Sequence, residues 1–182
     1  AMLRMYLSMR TQKKAATVLD VGSGPVSILN GFAPGNLDIT TCDPLSEHYQ
    51  SIFDYNKYEI TPPLPYPAEE AFQGKTYDIV HISNALDHTV DPAKSLVDLV
   101  QCVKEGGYLI VQGFTNEATY ENYQGFHQHN LCLVDGQLSI SGTLVGPMDL
   151  NCHLVFADQE IIQATGREWF IWVLRKNVTS GS

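Results

Sequence analysis

The residues whose types and spacing suit chemistry lie in four short stretches of a 182-residue chain: Asp20-Val21-Gly22-Ser23-Gly24, Asp43-Pro44, Ser83 to His88, and His127-Gln128-His129. Glycines at Gly22 and Gly24 let the backbone pass close to a ligand with no side chain in the way. Asp43, about twenty residues further on, stands where a carboxylate accepts hydrogen bonds from ribose hydroxyls, so together these residues point to a nucleoside ligand. His88 is the first candidate for a general base, because an imidazole titrates near neutrality and can take the proton of a hydroxyl or protonated amine. Its competing reading is a histidine that helps cap the loop before Asp91-Pro92. His127 is the second candidate base.

These groups need elements to hold them. Thr17 to Val21 reads as a short strand, followed at once by the glycine turn and by a helix opening over Val26 to Phe32. Leu37 to Cys42 is a β-branched run ending at Asp43-Pro44, and Ser46 is expected to cap a helix running through Tyr55. Glu59 to Pro67 carries four prolines, so any third strand there is short, interrupted or at an edge. Tyr77 to Ser83 is a near-continuous apolar strand. Asp91-Pro92 then opens a helix with Ala93, Leu96, Val97, Leu99, Val100 and Val103 on a helical period, stopping at Lys104-Glu105-Gly106-Gly107. Tyr108 to Gln112 follows as a strand. Alternating strands and helices imply a parallel sheet covered on both faces, with its ligand beyond the carboxyl ends of the strands. After Gly113 the pattern changes: Asp135-Gly136 joins Leu131–Val134 to Gln137–Ile140 as a hairpin with a primed turn. His153–Phe156 and Trp169–Leu174 read as two further strands with a short helix over Asp158–Ala164 between them, and 177–182 as a frayed tail.

The strings VLDVGSGP, ITTCDP and YDIVHISNALDHTVDPAKSLVDLVQCVKEGGYLIVQG, within residues 17 to 113, resemble the class I, Rossmann-like S-adenosylmethionine-dependent methyltransferases, in particular their small-molecule, type 11-like branch. The resemblance implies S-adenosylmethionine as cofactor and S-adenosylhomocysteine as product. It implies that Asp20, Gly22, Ser23 and Gly24 hold the methionine and ribose part, and that Asp43, followed by Pro44, binds the ribose diol. Glu69 or Glu70 would approach the adenine amino group, and Asn84 and Ala85 would pass the cofactor and face the methyl-transfer site. A dinucleotide-binding dehydrogenase is the competing nucleotide reading. It wants Gly-x-Gly-x-x-Gly, whereas Ser27 stands at the third position. Val26 likewise replaces the third glycine of the fullest methyltransferase motif. The pair Pro62-Pro63 resembles the Asn/Asp-Pro-Pro-Tyr motif of amino-group methyltransferases, but lies outside the strand end where that motif belongs. The fold class expected is α/β, a doubly wound and mostly parallel seven-stranded sheet with an antiparallel last strand, helices on both faces, and an added β-hairpin after strand five.

Bulk properties narrow the partners. With 44% hydrophobic residues the chain can bury one core, so residues 1–182 are expected to form a single domain, with 17–113 as its cofactor half and 114–176 as its substrate side. Eleven basic residues against twenty acidic ones, a net charge of -9, disfavour nucleic acid. No run reaches the roughly 18 apolar residues of a membrane span, and Arg4, Arg10, Lys13 and Lys14 interrupt any signal-peptide core, so a cytoplasmic protein without membrane contact is expected. Cys42, Cys102, Cys132 and Cys152 read as reduced core residues. His127 and His129, joined by His153 or Asp149, are of the types that ligate a metal, but nothing fixes the spacing to a third ligand, no closed set exists and no metal is expected. About sixteen residues precede the first strand, enough for one short helix, so the acceptor site is expected to be open or completed by a partner chain, a homodimer being possible. Residues Thr115 to Leu150, rimmed by His127–His129 and the Asp135-Gly136 hairpin, are expected to form that site. The function expected is O- or N-methylation of a small-molecule acceptor; the alternative is a catalytically silent cofactor-binding or scaffold subunit.

Overall fold

A computed structural model describes residues 16–31, 37–146, 150 and 154–178. Its strands and helices run β1 (Ala16–Val21), β2 (Leu37–Cys42), α1 (Ser46–Ile52), β3 (Tyr77–Ser83), α2 (Pro92–Gln101), β4 (Val103–Phe114), α3 (Glu117–Tyr120), β5 (Leu131–Val134), β6 (Gln137–Ile140), β7 (Thr143–Val145), β8 (Leu154–Ala164) and β9 (Arg167–Lys176). The main sheet has the order β2-β1-β3-β4-β9-β8. The first four strands are parallel, β9 runs antiparallel to β4, and β8 pairs antiparallel with β9. The order reverses beside β1, which puts the carboxyl ends of β1, β2 and β3 around one crevice.

Alternation along the strands divides the core between the two sheet faces. Val18, Ile79, Ile110, Ile171 and Val173 pack with Leu29 on one side. Leu19, Val21, Val80, Ile82, Leu109, Val111 and Trp172 pack on the other with Leu96, Leu99 and Val100 of α2. Helix α2 starts where the sequence indicates: Asp91 is its N-cap and accepts from Lys94 N at 2.9 Å, with Pro92 at the first helical position. Among the described residues no helix is long and apolar enough to cross a membrane. Cys42 and Cys102 are buried free thiols, and burial pushes both pKa values up to about 12. Cys132 is half-buried in β5. Cys152 lies outside the described residues, as do Asp149, His153, the basic N-terminal segment, Phe32 and 179–182 of the tail.

Four expectations are corrected. The third strand shrinks to a single parallel bridge, Cys42 to Leu64: Pro62, Pro63, Pro65 and Pro67 have no amide to give, the Leu64 amide donates to Thr41 O at 2.8 Å, and the Tyr66 amide turns back to Leu64 O. Among the described residues the main sheet has six strands, against the seven expected. Residues 158–164 are strand, not helix: Thr165 (φ 53) and Gly166 (φ 80) form a turn with two left-handed residues that folds β8 onto β9, pairing Ile161 with Phe170 and Ile162 with Trp169. Among the described residues between β1 and β2 a 3₁₀ turn over Ile28–Gly31 stands where the helix was expected. There the Ser27 hydroxyl takes the Leu29 amide at 3.0 Å and competes with helical bonding. Finally, Leu45 rather than Ser46 precedes α1 as its N-cap; Ser46 is buried and its hydroxyl donates to Pro63 O, while the helix ends at Ile52.

The Asp135-Gly136 hairpin forms as read, with φ of 48 and 80, and a third strand joins it through Ser141-Gly142. Trp172 Nε1 donates to Gly136 O at 2.9 Å, tying this small sheet to the large one. A second tie holds α3. Arg167 of β9 donates to both carboxylate oxygens of Glu117, at 3.2 and 2.6 Å. Its guanidinium lies over the rings of Phe114 and Tyr120, 4.4 and 4.0 Å from their centroids.

Candidate functional site

The turn after β1 is shaped by its neighbours. Gly22 (φ 62) and Gly24 (φ 66) both adopt left-handed backbone, and a Cβ at Gly22 would stand 2.4 Å from the Ala85 Cβ. Gly22 and Ser23 donate their amides to Cys42 O at 2.8 and 3.3 Å, so the turn rides on the end of β2. One Asp43 carboxylate oxygen accepts from Gly24 N and the other from Leu45 N, each at 2.9 Å. This fixes the carboxylate at the cleft wall.

Asp20, to which the motif assigns a ligand contact, is 2% exposed and is not among the residues that line the cleft. One of its oxygens accepts from the Ser27 hydroxyl and the other meets His81 Nδ1 at 2.6 Å. Gln112 Nε2 faces His81 Nε2 at 2.9 Å on the other side of the ring. The buried chain Ser27–Asp20–His81–Gln112 therefore braces the turn. His81 and Gln112 were not singled out from sequence; a histidine inside the apolar run Tyr77–Ser83 was the available signal.

Gly22, Gly24, Asp43 and Pro44 line one side of a cleft of about 500 Å³, and Asn84, Ala85, His88 and Phe126 line another. Of the two glutamates left open, Glu69 lines it, with Ala68. Its Oε1 accepts from Val90 N at 2.7 Å and Asp91 N at 3.1 Å, pinning it to the loop after β3. Tyr49 also lines the cleft and was missed; burial raises its phenol pKa and the Asp43 charge raises it further. Asn84 sits at φ 49, a conformation sparsely used by non-glycine residues, where the chain turns from β3 across the cleft floor. Asp20, Ser23 and the Asp135-Gly136 turn are not part of the lining.

Beside His88 of the lining, the fold joins residues forty positions apart, Asp87 and His127, which are not themselves part of the lining. His127 Nδ1 is 2.8 Å from Asp87 Oδ2 and 3.1 Å from His88 Nε2, and His88 Nε2 is 3.5 Å from the same oxygen. Asp87 is 3% exposed, whereas His88 and His127 side chains retain 31% and 24% of their surface. Gln128 N donates to Asp87 O at 3.2 Å, so the backbone contact holds the two segments together as well. Burial moves the His88 pKa below its ordinary value, opposed by the Asp87 charge and reinforced by His127. The partner that joins His127 is thus the His88 and Asp87 pair rather than His129, which is half-buried outside this group.

Similarity to known proteins agrees with this architecture. The N-methyltransferase NodS from Bradyrhizobium japonicum WM9, in complex with S-adenosylhomocysteine, superposes with a TM-score of 0.64 at 12% identity, over 96% of this chain and 84% of that one. Magnesium protoporphyrin IX methyltransferase (ChlM) from Synechocystis PCC 6803, with bound S-adenosylmethionine, gives 0.62 at 12% identity over 97% and 77%. The [4+2]-cyclase SpnF gives 0.67 at 14% identity over 97% and 80%. No curated protein matches the chain. The family described as a methyltransferase domain matches residues 2–139, most of the 182-residue chain, and with the α/β sheet order and the cleft at its strand ends this chain belongs to that methyltransferase-domain family.

Proposed function

We propose that this chain binds S-adenosylmethionine and transfers its methyl group to an oxygen or nitrogen of a small-molecule acceptor. The observation that carries the reading is the Asp43 carboxylate, pinned by the Gly24 and Leu45 amides in the lining of a cleft that His88 also lines. The residues present fit the cofactor. A side chain at Gly22 would fill the approach, Asp43 offers lone pairs to a diol, and a cavity of about 500 Å³ is within the usual size for a cofactor and part of an acceptor.

When bound, the cofactor supplies a methyl carbon on a sulfonium; the carbon–sulfur bond breaks as the acceptor–carbon bond forms, leaving the neutral thioether. Asp43 holds the ribose hydroxyls and Glu69 stands at the adenine side. Gly22, Asn84 and Ala85 shape the wall along which acceptor and methyl group align, and such alignment supplies a large share of the acceleration in an in-line displacement. His88 is placed to take the proton an acceptor hydroxyl or ammonium gives up, with His127 and Asp87 behind it. Phe126, at the mouth, reduces the water around the reacting atoms, and it comes from the 115–150 segment assigned to the acceptor.

Calorimetric titration with S-adenosylhomocysteine tests the cofactor, and mass spectrometry of an acceptor panel tests transfer. A folded chain that ignores S-adenosylhomocysteine while binding a nicotinamide dinucleotide would overturn the proposal. A second reading, a chain that holds the cofactor without turning it over, draws on the similarity to a protein described as a cyclase. Cofactor binding without turnover across the panel would favour it.

A further inference from the structure

We propose that Asp87, His88 and His127 form a binding site for a divalent transition-metal ion at the acceptor end of the cleft. The three contacts among Asp87 Oδ2, His127 Nδ1 and His88 Nε2, at 2.8, 3.1 and 3.5 Å, form a closed triangle. A single proton serves at most two of its three edges. An ionised carboxylate donates nothing, and each of the two facing ring nitrogens carries either one proton or one lone pair. If both carry protons, two N–H groups oppose each other across the His88–His127 edge. If only His127 Nδ1 does, it serves Asp87 at 2.8 Å and can be shared with His88 at 3.1 Å, leaving the His88 and Asp87 lone pairs 3.5 Å apart with nothing between them. A cation above the triangle satisfies all three atoms at once.

The dimensions suit such an ion. For edges of 2.8, 3.1 and 3.5 Å, a point about 0.9 Å off the plane is about 2.05 Å from every corner, the length of a zinc–nitrogen or zinc–oxygen bond. Two imidazoles and one carboxylate on a single face are a donor set used by zinc and by ferrous ions, and they leave further coordination positions open. Asp87 closes the buried side, while His88 and its neighbour Phe126, with ring centroids 5.9 Å apart, line the cleft. The open positions therefore face the acceptor. In this arrangement an acceptor oxygen binds the ion and loses its proton more readily, with the ion in place of a free imidazole. That role rests on the cofactor reading above; metal binding does not.

The test uses the untagged full chain, stripped with a chelator and desalted, titrated with zinc chloride by calorimetry and with cobalt chloride by absorption. The expected result is saturable binding at one equivalent, with weak visible cobalt bands from nitrogen and oxygen ligands. His88→Ala and His127→Ala, at half-buried positions and checked for folding by circular dichroism, should each weaken binding by at least the 10- to 100-fold typical of losing a supporting residue around a metal. No saturable binding, both variants binding like the parent, or an intense sulfur-to-cobalt band would each overturn the proposal. A parallel S-adenosylhomocysteine titration of the metal-free chain tests the cofactor reading alone, so the two can fail separately.

Discussion

Replacing Gly22 by alanine probes the wall of the cleft at its tightest point. Two costs add. An alanine at φ 62 adopts a left-handed conformation disfavoured by about 1–2 kcal/mol. Its Cβ would also stand 2.4 Å from the Ala85 Cβ, about 1 Å closer than two carbons tolerate, and such overpacking costs about 1–3 kcal/mol. Gly22→Ala should therefore destabilise the chain by about 2–5 kcal/mol and weaken S-adenosylhomocysteine binding, because Ala85 lines the cleft. The second term has a specific remedy. In a Gly22→Ala, Ala85→Gly double variant the nearest remaining atom is the residue 85 Cα at 3.9 Å, an ordinary contact. The double variant should recover the steric part and keep the backbone part, giving a coupling of about 1–3 kcal/mol in a double-mutant cycle measured by urea unfolding. Costs that simply add, with coupling below about 0.5 kcal/mol, would refute the close approach of these two segments.

Asp43→Asn leaves one oxygen to serve two amide donors and turns an NH₂ toward the other, so affinity for S-adenosylhomocysteine should fall by about 1.5–3 kcal/mol by calorimetry; unchanged affinity would move the ribose contact elsewhere. His88→Ala should lower turnover by roughly a hundredfold once an acceptor is known, and full turnover would remove His88 from the mechanism. Burial raises the Asp78 pKa, but the Thr17 amide and hydroxyl and the Lys104 ammonium outweigh it and hold the carboxyl below its usual value. A folded pKa below the unfolded one contributes stability above roughly pH 4, lost as pH falls through the folded value. Asp78→Asn should thus melt lower than the parent at pH 7 and approach it in strong acid; a gap independent of pH would refute the assignment.

Local signals made several elements legible. Strand β3 is a continuous apolar run, α2 has an Asp-Pro start, and the Asp135-Gly136 turn needs only its own two residues, so each is decided by near neighbours in the chain. What escaped was decided at a distance. Residues 158–164 are a strand because β9 pairs along them, a partnership no window around Ile161 contains. Asp20 reads as a ligand contact because its motif places it near the turn, yet its oxygens are taken by Ser27 and His81, and the hydrogen bond to His81 links adjacent strands. His88 and His127 were each legible as candidates, but their meeting depends on the fold returning residue 127 to Asp87 across forty positions. Glu69 separates from Glu70 only once the 3₁₀ turn over Ala68–Glu70 sets which side chain reaches Val90.

The Arg167 clasp on Glu117 gains another meaning when the chain is followed from it to His127. That stretch is fastened at one end to β9 through two charged hydrogen bonds and at the other to Asp87, with Tyr120, Tyr123 and Phe126 exposed between. A strap fixed at both ends samples far fewer shapes than one hinged at a single end, since closing a loop removes chain entropy. The Arg167 end is the firmer fastening, with paired bonds and two aromatic rings against the guanidinium. The His127 end holds through its imidazole on the Asp87 carboxylate and through the Gln128 amide on the Asp87 carbonyl. A bulky molecule passing Phe126 must therefore either fit beneath a strap held at both ends or release that pair of bonds beside Asp87, with no swing of the sheet or of α2 required.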